Sequence, residues 1–166
     1  ISGNNLTERT LSFLMSISLR PITQDNFEHF IDLEVHEHQR LYLASNVFSI
    51  AEASFFPHYT TRGIFADEIP VGFLMYVAAL PEEASKHGEY YIWRFMLDKQ
   101  FQGQGYGRAA LQLLLEELRA KEDARKIIIS YAPDNLVAKH FYASLGFVET
   151  VVGEDGEMEA VLDLFL

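Results

Sequence analysis

Gln102-Gly103-Gln104-Gly105-Tyr106-Gly107 runs directly into Arg108-Ala109-Ala110-Leu111. The apolar run Tyr90 to Leu97 before it reads as a strand, and Ala109 to Leu118 after it reads as a helix. A strand, a glycine loop and a helix in that order make a receptor for an anion. Glycine lets the backbone turn tightly and keeps side chains out of the approach. The unbonded N–H groups of the first helical turn point at whatever the loop holds, and the helix dipole favours negative charge there. A pyrophosphate suits such a device; a turn that merely connects strand to helix is the plainer alternative. Two other phosphate motifs are excluded. A P-loop carries Lys and then Ser or Thr after its last glycine, where this chain has Arg108-Ala109. A dinucleotide fingerprint needs Gly-x-Gly-x-x-Gly, and Gly103, Gly105 and Gly107 are spaced differently.

The 166 residues suit one domain with a sizeable core. Hydrophobic residues make up 49% and charged ones 22%, an ordinary globular balance. No cysteine occurs, which excludes disulfides, thiolate metal sites and a Cys nucleophile, and nothing points to an oxidising compartment. The cytoplasm is the expected location. The formal net charge of −11 disfavours nucleic acid and anionic membrane as partners and suits a cationic one. Acidity for solubility alone is the bland alternative. Residues 1–14 read as an N-terminal extension, disordered or not native, with Met15 a plausible natural start and the domain running over 15–166. Leu11 to Leu19 lacks a cleavage site for a signal sequence, and no run is long enough for a transmembrane helix.

Along the chain, Met15, Ile17 and Leu19 alternate with polar residues as in a half-buried strand that Pro21 ends. Asn26 to Val35 predicts a helix, capped by Thr23 or Asp25. Ser49-Ile50-Ala51-Glu52 reads as a capping box that starts a second helix, stopped by Pro57. Thr61 to Ala66, Val71 to Ala79 and Glu89 to Asp98 predict strands. Leu111, Leu114, Leu115 and Leu118 form the buried stripe of the next helix, with Glu117 and Lys121 spaced to pair. Lys126 to Tyr131 predicts a strand buried on both faces. A helix over Leu136 to Leu145, ended by Gly146, and two strands around the turn Glu154-Asp155-Gly156 complete the order.

That order and the glycine loop resemble the GNAT (GCN5-related N-acetyltransferase) superfamily. Its acetyl-CoA loop is Gln/Arg-x-x-Gly-x-Gly/Ala, which Gln102, Gly105 and Gly107 fit without a gap. Tyr142-Ala143-Ser144-Leu145-Gly146-Phe147 is similar to the family's Tyr-x-x-x-Gly-Phe segment, and Asn135 opens the helix before it. Trp93 to Asp98, the stretch Ala44-Ser45-Asn46 with Ser49 to Ala53, and Asp155-Gly156-Glu157 look like bacterial spermine/spermidine (diamine) N-acetyltransferases. The resemblance implies an α/β (α+β) fold: one mixed, mostly antiparallel sheet of about seven strands with about four helices. It implies acetyl-CoA as cosubstrate, no metal, and direct attack of a primary amine on the thioester. A polyamine such as spermidine or spermine is the expected amine partner, with no nucleic acid and no membrane, and a homodimer is among the assemblies it allows.

Roles follow residue by residue. Tyr142 is the candidate general acid that protonates the departing sulfur, and the Leu97 backbone N–H the candidate oxyanion donor. Phe95, Met96 and Leu97 are expected to offer backbone groups to the pantetheine arm. Gln102, Gly103, Gln104, Gly105, Tyr106, Gly107 and Arg108 are expected to cradle the pyrophosphate, and Asn135 and Lys139 to touch the arm or its phosphates. Each has a plainer role: core packing for Tyr142, a ladder bond for Leu97, an exposed cation for Lys139. Some eukaryotic polyamine acetyltransferases carry a carboxylate on the central strand where this chain has Trp93, so a base is sought instead among Glu34, Glu37 and Glu89. These three and Trp93 are the expected amine-binding residues, with Asp32 joining the acidic cluster; Tyr59 and Tyr91 could add cation–π contacts. His36-Glu37-His38 reads as a solvated helix end, since no third ligand accompanies it. A non-catalytic acetyl-CoA-binding domain, or acetylation of a protein N-terminus or an aminoglycoside, are the competing functions.

Overall fold

Ile127, Ile128 and Ile129 are all buried, which only a strand covered on both faces allows. They belong to the interior of a seven-stranded sheet in the computed structural model, which describes residues 15–165. The expected extension, residues 1–14, lies outside the described residues. The strands are β1 Ile17–Pro21, β2 Tyr59–Ala66, β3 Ile69–Ala78, β4 Glu89–Leu97, β5 Lys126–Tyr131, β6 Val148–Val152 and β7 Met158–Asp163. The helices are α1 Glu28–Ile31, α2 Asn46–Phe55, α3 Tyr106–Arg119 and α4 Leu136–Ala143; short 3-10 turns occupy Glu37–Tyr42 and Ala84–Lys86. Across the sheet the order is β1-β2-β3-β4-β5-β7-β6. Every neighbouring pair is antiparallel except β4 and β5. The mixed, mostly antiparallel sheet with four helices agrees with the sequence expectation.

The sheet has a core on each face. On one, Leu111, Leu114, Leu115 and Leu118 of α3 pack with Ile64, Leu74, Tyr76, Ile92 and with Ile127 and Ile129 of β5. The leucine spacing puts all four on one helix stripe, so burying that stripe holds α3 to the sheet. On the other face, Phe73, Met75 and Met96 are covered by residues of and around α1 and α2, among them Leu33, Ile50 and Ala53.

Local readings fail where tertiary contacts override them. The predicted helix over Asn26 to Val35 shrinks to Glu28–Ile31, because Leu33 to Val35 turn away to meet the end of β4. There the Glu34 N–H donates to the buried Asp98 carboxylate at 2.9 Å and the Lys99 N–H to the Glu34 carbonyl at 2.7 Å. The N-cap of α2 lies one turn earlier than the Ser49 box implies. Ser45 caps α2 by accepting from the Phe48 N–H at 3.2 Å, while Ser49 is fully buried inside the helix and donates back to the Ser45 carbonyl at 3.0 Å. Glu117 does not pair with Lys121. It accepts from Arg62 at 2.7 Å and from the Tyr76 hydroxyl at 2.6 Å, a charge-assisted set that outcompetes an exposed helix pair. Burial and then the bond to Glu117 push the Tyr76 phenol up to about 12.

At Gly63 on β2 a β-carbon would collide with the ring of Phe30, which is fully buried and has nowhere to go. Gly63→Ala should therefore destabilise the fold by about 1–3 kcal/mol, the usual range for overpacking. Chemical denaturation reads this directly; an unchanged midpoint would show that the ring has room to move.

Candidate functional site

β4 and β5 are paired over a short length. Glu89, Tyr90, Tyr91 and Ile92 match Lys126, Ile127, Ile128 and Ile129, and the pairing stops there. On its other edge β4 stays paired with β3 as far as Leu97, with a register shift between Ile92 and Arg94 that leaves Trp93 as an unmatched, bulged residue. β5 continues to Tyr131 against β7. Beyond Ile92, then, the β5-side edge of Trp93 to Leu97 has no strand partner; the Trp93 carbonyl accepts from Arg94 at 2.8 Å and the Leu97 carbonyl from Gln102 at 3.0 Å, which leaves the N–H groups of that edge for a ligand. Phe95, Met96 and Leu97 all lie on this released segment.

α4 bridges the parted strands on the α3 face. Phe141 stacks on Phe95 of β4 with ring centres 6.2 Å apart, and Tyr142 stacks on Tyr131 of β5 at 5.7 Å. Phe147 meets the edge of Tyr142 at 5.7 Å. Tyr142 is 7% exposed, and burial pushes its phenol well above the ordinary tyrosine range. The hydroxyl therefore stays protonated through neutral pH, the state a proton donor needs and a base does not. Asn135 caps α4 by accepting from the Ala138 N–H at 3.1 Å. Lys139 is engaged with Glu149 at 2.9 Å, and that bond holds the Glu149 carboxyl below its usual range.

Past the released strand the chain reaches the glycine loop. Gly103 and Gly105 have φ of 76° and 84°, a region that side chains with a β-carbon avoid. A β-carbon at either would meet nothing within 4 Å, so the backbone lies open to an incoming group. Gly105 is the N-cap of α3 and brings no capping side chain. The helix starts at Tyr106, earlier than expected, and its first N–H groups are left for an anion. Gln102 secures the loop: its amide donates to the Leu97 carbonyl at 3.0 Å and to Gln39 Oε1 at 2.9 Å. Gln104 donates to the Gln100 carbonyl at 3.3 Å, and the Tyr106 hydroxyl reaches Met15 Sδ at 3.2 Å. Arg108 is exposed and donates to Ser144 Oγ at 2.6 Å. These residues fit a pyrophosphate-bearing ligand: an open glycine surface, unspent N–H groups and a cation at the rim.

The expected acidic cluster does not assemble. Glu34 lies beside the C-terminal end of β4, through the Lys99 bond, whereas Glu89 is the first residue of that strand. Eight steps of about 3.3 Å separate the two ends by roughly 26 Å. Glu34 is moreover paired with Lys99 at 3.1 Å and Arg40 at 3.2 Å. Glu37 shares Arg40 at 3.4 Å. The bond from Lys99, then the charge of Arg40, holds the Glu34 carboxyl below its usual range. Glu89 accepts from the Tyr91 hydroxyl at 2.6 Å, and Asp32 ends α1. Glu34 and Glu37, three residues apart, would share a face if the first helix reached them; the break after Ile31 removes it.

What sequence reasoning missed lies at the split itself. A cleft of about 310 Å³ is lined by Tyr91, Trp93 and Arg94 of β4, Ser130 of β5, and Asp155 and Glu157 of the β6–β7 turn. The residues were individually visible, but only the sheet order brings that turn beside β4's neighbour. Trp93, expected here, is 43% exposed and faces Tyr59 with ring centres 6.1 Å apart. The rings of His36 and His38 stack at 5.8 Å. Among the described residues no group of three or more His, Cys, Asp or Glu could hold a metal ion, and no helix is long and apolar enough to cross a membrane.

Residues 18–147 match the model of the Acetyltransferase (GNAT) family. The chain is 31% identical over 135 residues to the spermine/spermidine N(1)-acetyltransferase of Bacillus subtilis (strain 168), covering 80% of this chain and 88% of that one. It is 32% identical, with the same coverage, to a protein of Bacillus subtilis subsp. natto (strain BEST195) named "Probable spermine N(1)-acetyltransferase". Among solved structures, an aminoglycoside acetyltransferase in complex with coenzyme A superposes with a TM-score of 0.70 at 21% identity, over 90% of this chain and 95% of that one; this likeness is one of fold.

Gly105→Val puts a branched side chain at φ 84° and over the open cradle. Calorimetry should find acetyl-CoA binding abolished in the folded variant, and normal binding would remove the loop from the phosphate site.

Proposed function

The chain belongs to the GNAT acetyltransferase family, and from that premise we propose that it N-acetylates a polyamine such as spermidine or spermine. Membership makes it an acetyl-CoA-dependent N-acetyltransferase acting on amines. The cleft carries the narrower reading. It joins the aromatic surfaces of Tyr91 and Trp93 to the carboxylates of Asp155 and Glu157 at the split, which suits a flexible alkyl chain bearing several positive charges. Relatives named for spermine and spermidine support the same choice. The lack of cysteine agrees with a cytoplasmic location.

Acetyl-CoA supplies the thioester carbonyl that the amine attacks. In this reading the loop from Gln102 to Arg108 holds the pyrophosphate through backbone N–H groups, with Arg108 released from Ser144 to pair with phosphate. The freed edge of Phe95, Met96 and Leu97 receives the pantetheine arm, and the Leu97 N–H donates to the carbonyl oxygen as charge builds on it. Asn135 positions α4, whose Tyr142 holds a proton in a buried aromatic cage and gives it to the departing sulfur. Lys139 stays with Glu149 and serves α4 first. The amine loses its proton to water in the cleft, where Glu89 accepts from the lining Tyr91 hydroxyl, while Glu34 and Glu37 contribute to the field at the other end of β4.

Tyr142→Phe keeps the ring packing and deletes only the donor. Its rate should fall roughly 100-fold, the low end for general acid–base catalysis, with acetyl-CoA affinity within a few fold. An unchanged rate, with chemistry limiting, would return Tyr142 to a packing role.

The substrate is tested by turnover against spermidine, spermine, monoamines of similar length, an aminoglycoside and a peptide. kcat/KM should be highest for the polyamines and should decline as salt rises, because the Debye length shrinks to about 8 Å at physiological ionic strength. Equal rates for monoamines, with no salt effect, would remove the polyamine assignment and leave the acetyltransferase intact.

A further inference from the structure

On the α2 face of the sheet, the bulged segment of β4 meets a carboxylate that has no role in the account above. Arg94 follows Trp93, and its guanidinium carbon lies 5.6 Å from the Trp93 ring centre. Arg94 Nη2 stands 3.6 Å from Glu52 Oε2 on α2, with the two side chains 20% and 18% exposed. That separation is a charge–charge contact and not a hydrogen bond. Glu52 Oε2 and Arg94 Nε are both covered, and neither has a hydrogen-bond partner among the described residues. A largely buried carboxylate with an unmet acceptor is costly unless a donor is supplied at some stage of the protein's working cycle. Tyr59, whose ring faces Trp93, lies close enough to Glu52 that the carboxylate's charge, after burial, raises its phenol above the ordinary range.

We propose that Glu52 is the specificity-determining residue for the acceptor: it binds a second ammonium group, held between the Tyr59 and Trp93 rings, and Arg94 is the cation that this ammonium displaces. The inference rests on the polyamine reading. A polyamine must present one neutral nitrogen for acetylation while its other nitrogens remain charged, since alkyl ammonium groups titrate near about 10. Trp93 and Arg94 also line the cleft at the strand split. A charge captured at Glu52 therefore leaves the alkyl chain pointing along the bulge towards the split, where the uncharged end has to sit. The ammonium supplies Glu52 with the hydrogen bond that Arg94 does not make, and the two rings add cation–π attraction. A monoamine gains nothing from this subsite, so discrimination follows from the number of charges.

The test compares the whole protein with Glu52→Gln, Arg94→Met and the double variant Glu52→Gln/Arg94→Gln. kcat and KM are measured for spermidine, spermine and a monoamine of similar length, alongside thermal unfolding and acetyl-CoA affinity. Glu52→Gln should raise KM for the polyamines roughly 10- to 100-fold, the worth of a lost hydrogen bond to a charged group. kcat, the monoamine kcat/KM and acetyl-CoA affinity should hold. The double variant removes both charges together, so it tests the same loss if unpaired Arg94 prevents the single variant from folding. Arg94→Met removes the competitor and should lower polyamine KM. The proposal is overturned if the Glu52 variants keep wild-type polyamine KM while the wild type prefers polyamines; the polyamine reading then stands. It is also overturned if they lose kcat/KM equally for polyamine and monoamine with a lowered melting temperature, the signature of a strut. A wild type with no polyamine preference would remove the polyamine reading, and this inference with it.

Discussion

The open edge and the cleft of this sheet both depend on two neighbouring strands ceasing to pair. β4 and β5 run parallel through Ile92 and Ile129 and then part, while each keeps its other neighbour. Those outer ladders fix the strands, so the gap is rigid and its backbone groups stay open without collapse of the sheet. The bulge at Trp93 sits at the point of parting and adds local twist, as bulges do. α4 then closes one side through paired stacks, Phe141 on Phe95 and Tyr142 on Tyr131. One helix thus spans both strands, and the separation it bridges is set by packing and not by hydrogen bonds.

The acidic composition takes on a different meaning once partners are known. A net charge of −11 suggests a surface that attracts cations, yet several carboxylates are already paired within the chain. Glu117 ties α3 to β2 and β3 through Arg62 and Tyr76. Glu149 joins β6 to α4 through Lys139 and to β5 through the Tyr131 hydroxyl. Asp98 anchors the loop after α1. Glu34 holds Lys99 and Arg40. The carboxylates at the strand split, Asp155 and Glu157, come from a turn that the sequence marked as a turn and as part of the polyamine-acetyltransferase resemblance, without a place at the site.

The glycine loop, the leucine stripe of α3 and the isoleucines of β5 were legible because each is a local pattern with one physical solution. The position of Tyr142 was legible through its neighbours Gly146 and Phe147, and Gly146 does turn the chain with φ 96°. The Ser49 box is ambiguous, since a serine three residues before a glutamate looks the same whether it caps a helix or lies one turn inside it; Ser45 at the true cap decides the matter. The Glu34–Glu37 pairing failed for a similar reason. Spacing of three defines a shared face only where a helix exists, and the bonds to Asp98 and Lys99 end it early. The bulge at Trp93 and the approach of Glu52 to Arg94 have no local signature, because both arise from how β4 meets elements distant in sequence.

Burial of Tyr142 links the scaffold to the chemistry proposed for it. An exposed phenol would exchange its proton with solvent and add little direction to its transfer. Enclosed by Tyr131, Phe141 and Phe147, the ring has one orientation, and the low dielectric around it penalises the phenolate. That penalty makes Tyr142 a poor base and a reluctant acid in the ground state. In the role proposed for it, it would become an effective acid when a thiolate forms beside it, since charge would then move between two desolvated sites at little cost in solvent reorganisation. The same aromatic contacts that hold α4 across the parted strands therefore fix the proton's position. Packing at Tyr142 and the proton donation proposed for it rest on the same contacts, which is why the substitution that separates them must leave the ring in place.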